Sequence, residues 1–150
     1  AHDDVVVVEP KKMPSGMERY SGEDFPEKSS MLVHSDVLTT IYSTMVVEAA
    51  VHDTPFISIC INTDEGWGKD KFWVPLEEVP GWPTASRVNA MKAGKTVFDQ
   101  EELKTALMEY IKDRNVDHEE RMAFAEAEVT YLNGESTPKV TEFLLNLLNK

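Results

Sequence analysis

The chain has 150 residues, 41% of them apolar, enough for one domain with a sizeable core and too apolar for a disordered chain. Its 27 acidic against 15 basic side chains leave a net charge of −12, the wrong sign for a general nucleic-acid binder, whose affinity comes mainly from phosphate contacts. A single cysteine, Cys60, excludes an intrachain disulfide, and no apolar run approaches the ~20 residues of a membrane span.

Taken in chain order, residues 5–8 are four valines and read as a strand buried on both faces. Pro10, Pro14 and Gly16 break it, and residues 17–30 read as polar and irregular, with a short helix near 26–30 that residues 31–33 close. Residues 36–40 read as the second strand. Ser43 is the expected N-cap of a short helix over 44–51, which ends at His52-Asp53-Thr54-Pro55 because proline cannot continue a helix. Residues 56–61 read as the third strand. Residues 62–87 hold three glycines, three prolines and all three tryptophans, and read as a long ordered loop of functional or interfacial use. A short fourth strand follows at 96–98.

Three helices close the chain. Asp99 with Glu102 fits a capping box, followed by an apolar stripe of Leu103, Ala106, Leu107, Tyr110 and Ile111. Asp117 with Glu120 fits a second box, opening a helix to about residue 132. Thr137-Pro138 reads as an N-cap and first helical position, with Val140, Phe143, Leu144, Leu147 and Leu148 as the stripe beyond. The expected fold is α/β: a Rossmann-like, mostly parallel sheet of about four to six strands flanked by helices, with a helical C-terminal tail. Residues 1–150 read as a single domain. The chain opens on Ala1 close to a strand, so it also reads as a piece of something longer.

In such sheets ligands sit beyond the carboxyl ends of the strands, and the Tyr42-Ser43-Thr44 turn lies at one of these ends. The N–H groups of Thr44, Met45 and Val46 are expected to lack intrahelical partners, at the positive end of the helix dipole. A diphosphate suits those donors and the two hydroxyls. Glu48 lies four residues beyond Thr44 on the same helix face, where a carboxylate can accept bonds from sugar or ribose hydroxyls. An ordinary helix cap accounts for the same residues without a ligand.

The flanks of that turn carry a resemblance. S-D-V-x-x-T-x-Y-S-T-x-x-x-E-A over residues 35–49, followed by a turn with proline and an apolar strand, resembles the C-terminal, donor-binding domain of glycosyltransferases with the GT-B fold. It is nearest to the group holding surface-polysaccharide transferases, CDP-glycerol glycerophosphotransferases and UDP-N-acetylglucosamine 2-epimerases. Residues 96–150 resemble the usual tail: strand, helix, a helix with Arg121, a glycine-bearing loop, then an amphipathic helix. The resemblance spans most of residues 31–61 and 96–150. It implies that Ser43, Thr44 and Met45 bind the phosphates of a nucleotide-sugar donor, that Glu48 meets ribose or sugar, and that no cofactor is needed. It also implies an N-terminal acceptor-binding domain that supplies the catalytic base, so this part alone is expected to be inactive. The family's basic strand end has only Lys11 and Lys12 as counterparts, and Asp53-Thr54 stands where Gly-Lys is common before the proline. The single cysteine fits a reducing cytoplasm, and membrane-peripheral placement stays open beside it.

Alternatives stay open. Polyol-phosphate transfer or sugar-nucleotide epimerisation would use the same fold. A non-catalytic module would use the tryptophan loop, with Trp67 and Trp73 stacking on a ligand, packing on another domain or pairing two copies as a homodimer. His2, His34, His52 and His118 show no metal-ligand spacing, Asp64-Glu65 lacks further ligands, and no G-x-S-x-G, P-loop or dinucleotide fingerprint occurs.

Overall fold

The computed structural model describes residues 4–8, 24–62 and 75–148. Their elements run α1 (Asp24–His34), β1 (Leu38–Thr40), α2 (Met45–Val51), β2 (Phe56–Ile59), a 3-10 helix (Leu76–Gly81), α3 (Pro83–Met91), β3 (Lys95–Val97), α4 (Gln100–Lys112), α5 (His118–Glu128) and α6 (Ser136–Leu148). The three strands form a parallel sheet in the order β1-β2-β3. Leu38 pairs with Phe56, and Ile57 with Lys95. The result is an α/β, Rossmann-like layout with a helical C-terminal end.

Successive side chains of a strand point to opposite faces, and β2 uses both. Phe56 joins Leu32, Val46, Ala49, Ala50, Val88, Ala93, Phe124 and Ala125 in a core built by α1, α2, α3 and α5. Ile57 turns the other way and packs with Val97, Ala106 and Tyr110 under α4. Both Phe56 and Ile57 are completely buried, as a central parallel strand requires. Gly94 permits the tight approach of β3 to this strand: a Cβ there would stand 2.7 Å from the Phe56 carbonyl oxygen.

Several expectations change. Three strands appear among the described residues, fewer than the four to six expected. Val5, Val6, Val7 and Val8 are 50–85% exposed and join no strand. A continuous apolar run makes a buried strand only where neighbours cover both its faces, and no described element does so. The short helix near 26–30 is the full α1. The long loop at 62–87 contains the 3-10 helix and the start of α3, where Pro83 takes the first helical position that suits its fixed φ and missing N–H. Lys11, Lys12, Trp67 and Trp73 lie outside the described residues.

The two capping boxes behave differently. Asp99 is extended, and its Oδ1 accepts the Glu102 N–H at 2.8 Å. The Glu102 carboxylate reaches back to the N–H of Phe98 rather than to that of the cap, at 2.7 Å. Asp117 caps nothing with its side chain. It sits in the left-handed region, and its carboxylate accepts the Tyr110 hydroxyl at 2.7 Å. Burial, with Asp117 beside it, holds that phenol strongly in its neutral form. The third cap shifts as well: α6 begins at Ser136, one residue before Thr137, and it buries none of its residues.

Candidate functional site

The β1–α2 turn lies where the parallel sheet predicts a ligand end, directly beyond Thr40. Tyr42 enters it with φ +22°, outside the comfortable range of an L-residue. Thr44, not Ser43, is the residue flanking the first turn of α2, and it already has helical backbone angles with no side-chain cap bond. Ser43 still caps in effect: its Oγ accepts the Met45 N–H at 3.1 Å and its carbonyl the Val46 N–H at 3.0 Å. Two of the three N–H groups expected to be free are therefore engaged by the turn itself. Thr44 N–H has no partner among the described residues, and the Thr44 side chain is exposed.

Tyr42, Ser43, Thr44, Val46 and Val47 line one side of a cavity of about 360 Å³, and Phe124 and Glu128 of α5 line the other. The turn thus meets a partly enclosed, mostly apolar space. Glu128 carries a negative charge there, and Arg87 of α3 offsets it, Nη1 to Oε1 at 2.8 Å. Arg87 is thereby held beside Glu128, on the α5 side of the cavity. Residue spacing hides it, because it stands 43 positions after Thr44 on a helix that reads as loop.

Glu48 is placed elsewhere. It pairs with Lys28 of α1 at 2.7 Å and is not among the residues lining the cavity. Position i+4 does put it on the face of Thr44, but a lysine from a neighbouring helix claims the carboxylate. Met45 contributes its backbone N–H to the turn, with its side chain packed against the α2 core.

Beneath the turn the Tyr42 hydroxyl donates to Asn89 Oδ1 at 2.6 Å and touches the Thr96 hydroxyl. Thr96 donates to the same Oδ1 at 2.9 Å, and Asn89 Nδ2 donates to the Pro80 carbonyl at 3.0 Å. Burial raises the Tyr42 pKa above its ordinary value, against the opposing pull of the neighbouring Thr96 and Asn89 side chains. Cys60 is buried, and desolvation pushes its thiol to about 11, so it is no nucleophile at neutral pH.

A second polar cluster ties α5 to the α2–β2 turn. Arg121 is fully buried; its Nε and Nη2 donate to Asp53 Oδ1 at 2.9 and 2.7 Å. Its remaining N–H groups reach the carbonyls of Val116 and Arg114. His118 Nδ1 meets Asp53 Oδ2 at 2.9 Å. Partial burial works to raise the Asp53 pKa, but the hydrogen bonds from His118 and Arg121 outweigh it and hold the carboxyl below its usual range. Every group of this cluster is committed to another of the same cluster or to backbone, which describes a staple rather than a reactive centre.

A wider groove of about 490 Å³ runs between β3 and α4. Asp99, Glu101, Glu102 and Glu109 line it, and its Lys95 pairs with Glu109 at 3.0 Å. That surface repels an anion, so the smaller cavity at the Ser43–Thr44 turn is the better candidate. No three potential metal-ligating side chains gather among the described residues, and no described helix is long and apolar enough to cross a membrane. Comparison with protein-family models, with curated proteins and with solved structures finds no match.

Proposed function

We propose that the chain is the donor half of a GT-B-like glycosyltransferase and that it holds a nucleotide diphosphate-sugar at the Ser43–Thr44 turn. The observation carrying this reading is the position of that turn: at the carboxyl end of a parallel strand, opening a helix, against a cavity of about 360 Å³. The phosphates would accept from the Thr44 N–H and from the Ser43 and Thr44 hydroxyls, and would compete with Ser43 Oγ for the Met45 N–H. Arg87 would exchange its Glu128 partner for phosphate, supplying charge that the net −12 of the chain opposes. Glu48 would have to leave Lys28 to reach ribose. Stabilisation of the leaving diphosphate would come from fixed donors rather than a metal. The acceptor-binding half and the catalytic base belong, on this reading, to an N-terminal domain, with further strands completing a four- to six-stranded sheet. Transfer of a polyol phosphate, or epimerisation, would use the same cradle.

Titration with UDP, CDP and GDP, watching the backbone amides of residues 42–48, tests the reading in a two-domain protein that contains this chain. Shifts centred on Thr44 with one nucleotide preferred are the expected result. Absence of binding at millimolar concentration for all three overturns it.

The second reading is a non-catalytic interaction module. It is favoured by the apolar face of α6, where Val140, Phe143, Leu144, Leu147 and Leu148 are each more than half exposed. Light scattering on the isolated chain, with Trp67→Ala and Trp73→Ala beside Leu144→Gln, separates self-association through the tryptophan loop from self-association through α6.

A further inference from the structure

Asn89 stands at the junction of three segments that are far apart in sequence. Its Oδ1 accepts from Tyr42 in the β1–α2 turn and from Thr96 in β3, while its Nδ2 donates to Pro80 in the 3-10 helix. The orientation of the carboxamide follows from chemistry. The Pro80 carbonyl can only accept, so the nitrogen must face it, and the oxygen is left for the two hydroxyls, which can donate. The group is therefore wired in one direction and cannot flip without opposing two carbonyl oxygens.

Both ends of this wire need support. Tyr42 has φ +22°, a conformation that a non-glycine residue holds only where its surroundings fix it. The 3-10 helix is six residues long with a proline inside it, beyond the usual three or four residues for its poorer hydrogen-bond geometry. At its two ends it is tied by Glu78 N–H to the Pro75 carbonyl and by Trp82 N–H to the Val79 carbonyl. Asn89 adds a bond from α3, which is anchored in the core through Val88.

We propose that Asn89 couples the β1–α2 turn to the 3-10 helix of the β2–β3 connection, so that the two open and close as one unit. Anything that fixes or releases Tyr42 is then felt at residues 76–82, 34 or more positions away in sequence. This coupling belongs to the ligand-free chain and stands apart from the nucleotide reading. If that reading holds, occupancy of the turn is reported at the 3-10 helix. If it fails, the coupling remains to be judged on its own measurement.

Amide hydrogen exchange on the ligand-free protein provides that measurement, with two conservative variants that cut different bonds. Tyr42→Phe removes one hydroxyl at the turn. Asn89→Asp keeps the acceptor for Tyr42 and Thr96 but replaces the donor to Pro80 with an oxygen that repels that carbonyl, which breaks the link to the 3-10 helix. Tyr42→Phe is expected to speed exchange about fivefold at Met45 and Val46, the effect of losing one net hydrogen bond, and by a comparable factor at Glu78 and Trp82. In the Asn89→Asp background the same substitution should still act at Met45 and Val46 and no longer reach Glu78 and Trp82. The amides of α4 serve as the reference for global opening. A Tyr42→Phe effect confined to the turn overturns the proposal. So does an equal rise in α4, which would mean general destabilisation, or a Glu78 and Trp82 response that survives Asn89→Asp.

Discussion

Helices α5 and α6 are both amphipathic, at 11 and 13 residues, and they end up in opposite situations. Helix α5 carries more charge, yet it buries Arg121, Phe124 and Ala125 against α2 and α3. Helix α6 has the stronger apolar stripe, and none of its residues is buried. Amphipathicity states that a helix has a face to hide. Whether the face is hidden depends on which elements reach it, and α5 is positioned in part by a charged member of its own buried face, Arg121. The Arg121–Asp53 pair pulls its first turns onto the end of α2, and Phe124 then meets Phe56 with ring centroids 6.5 Å apart.

The contrast can be tested from its strongest side downward. Phe124→Ala opens a hole between α5 and the sheet and should cost about 3–5 kcal/mol, read from urea denaturation. A cost below about 1 kcal/mol would show that α5 is no better packed than α6. Arg121→Met removes the guanidinium and leaves two backbone carbonyls and Asp53 with fewer partners; about 2–4 kcal/mol is expected, less than for a fully buried pair because Asp53 is 38% exposed on its side chain. A neutral or stabilising result would mean that apolar packing alone positions α5.

Acid offers a milder probe of the same staple. The folded state holds the Asp53 carboxyl below its usual pKa, so its contribution is present above the unfolded value of about 4 and is lost as pH falls through the folded one. Asp53→Asn, which tolerates the left-handed backbone found there, should flatten the fall in melting temperature below pH 4. An unchanged acid profile would place the acid sensitivity elsewhere. The smallest effect belongs to α6: Leu144→Gln should shift stability by less than about 0.5 kcal/mol. A loss above about 1 kcal/mol would reveal that α6 packs on something in solution and would dissolve the comparison.

Much of this architecture is legible in the residues. The helix-breaking Thr54-Pro55, the apolar run at 56–61 and the cap at Asp99 lead to β2 and α4 within about two residues, since each signal is local and acts on the backbone beside it. Residues 62–87 show where such reading fails. Pro83 counts there as one of three prolines of a loop when it is a helix start, and the same proline before T-A-S-R-V-N-A-M is the cue for α3. Misreading that stretch as loop also hides Arg87, which pairs with Glu128 at the cavity wall, and the helix that carries Asn89 to the Tyr42 hydroxyl.

At the candidate site, the sequence by itself determined the strand–turn–helix unit, its place at the carboxyl end of a strand and the hydroxyls of Ser43 and Thr44, because periodicity and capping chemistry act over a few residues. Only the tertiary structure decided which partner each side chain takes. It gives Glu48 to Lys28, turns the Asp117 carboxylate toward Tyr110, sets Arg87 against Glu128 and leaves α6 uncovered. The physical reason is that a charge or hydroxyl is satisfied by whichever complementary group the folded chain brings within about 3 Å, and that group has no fixed distance in sequence.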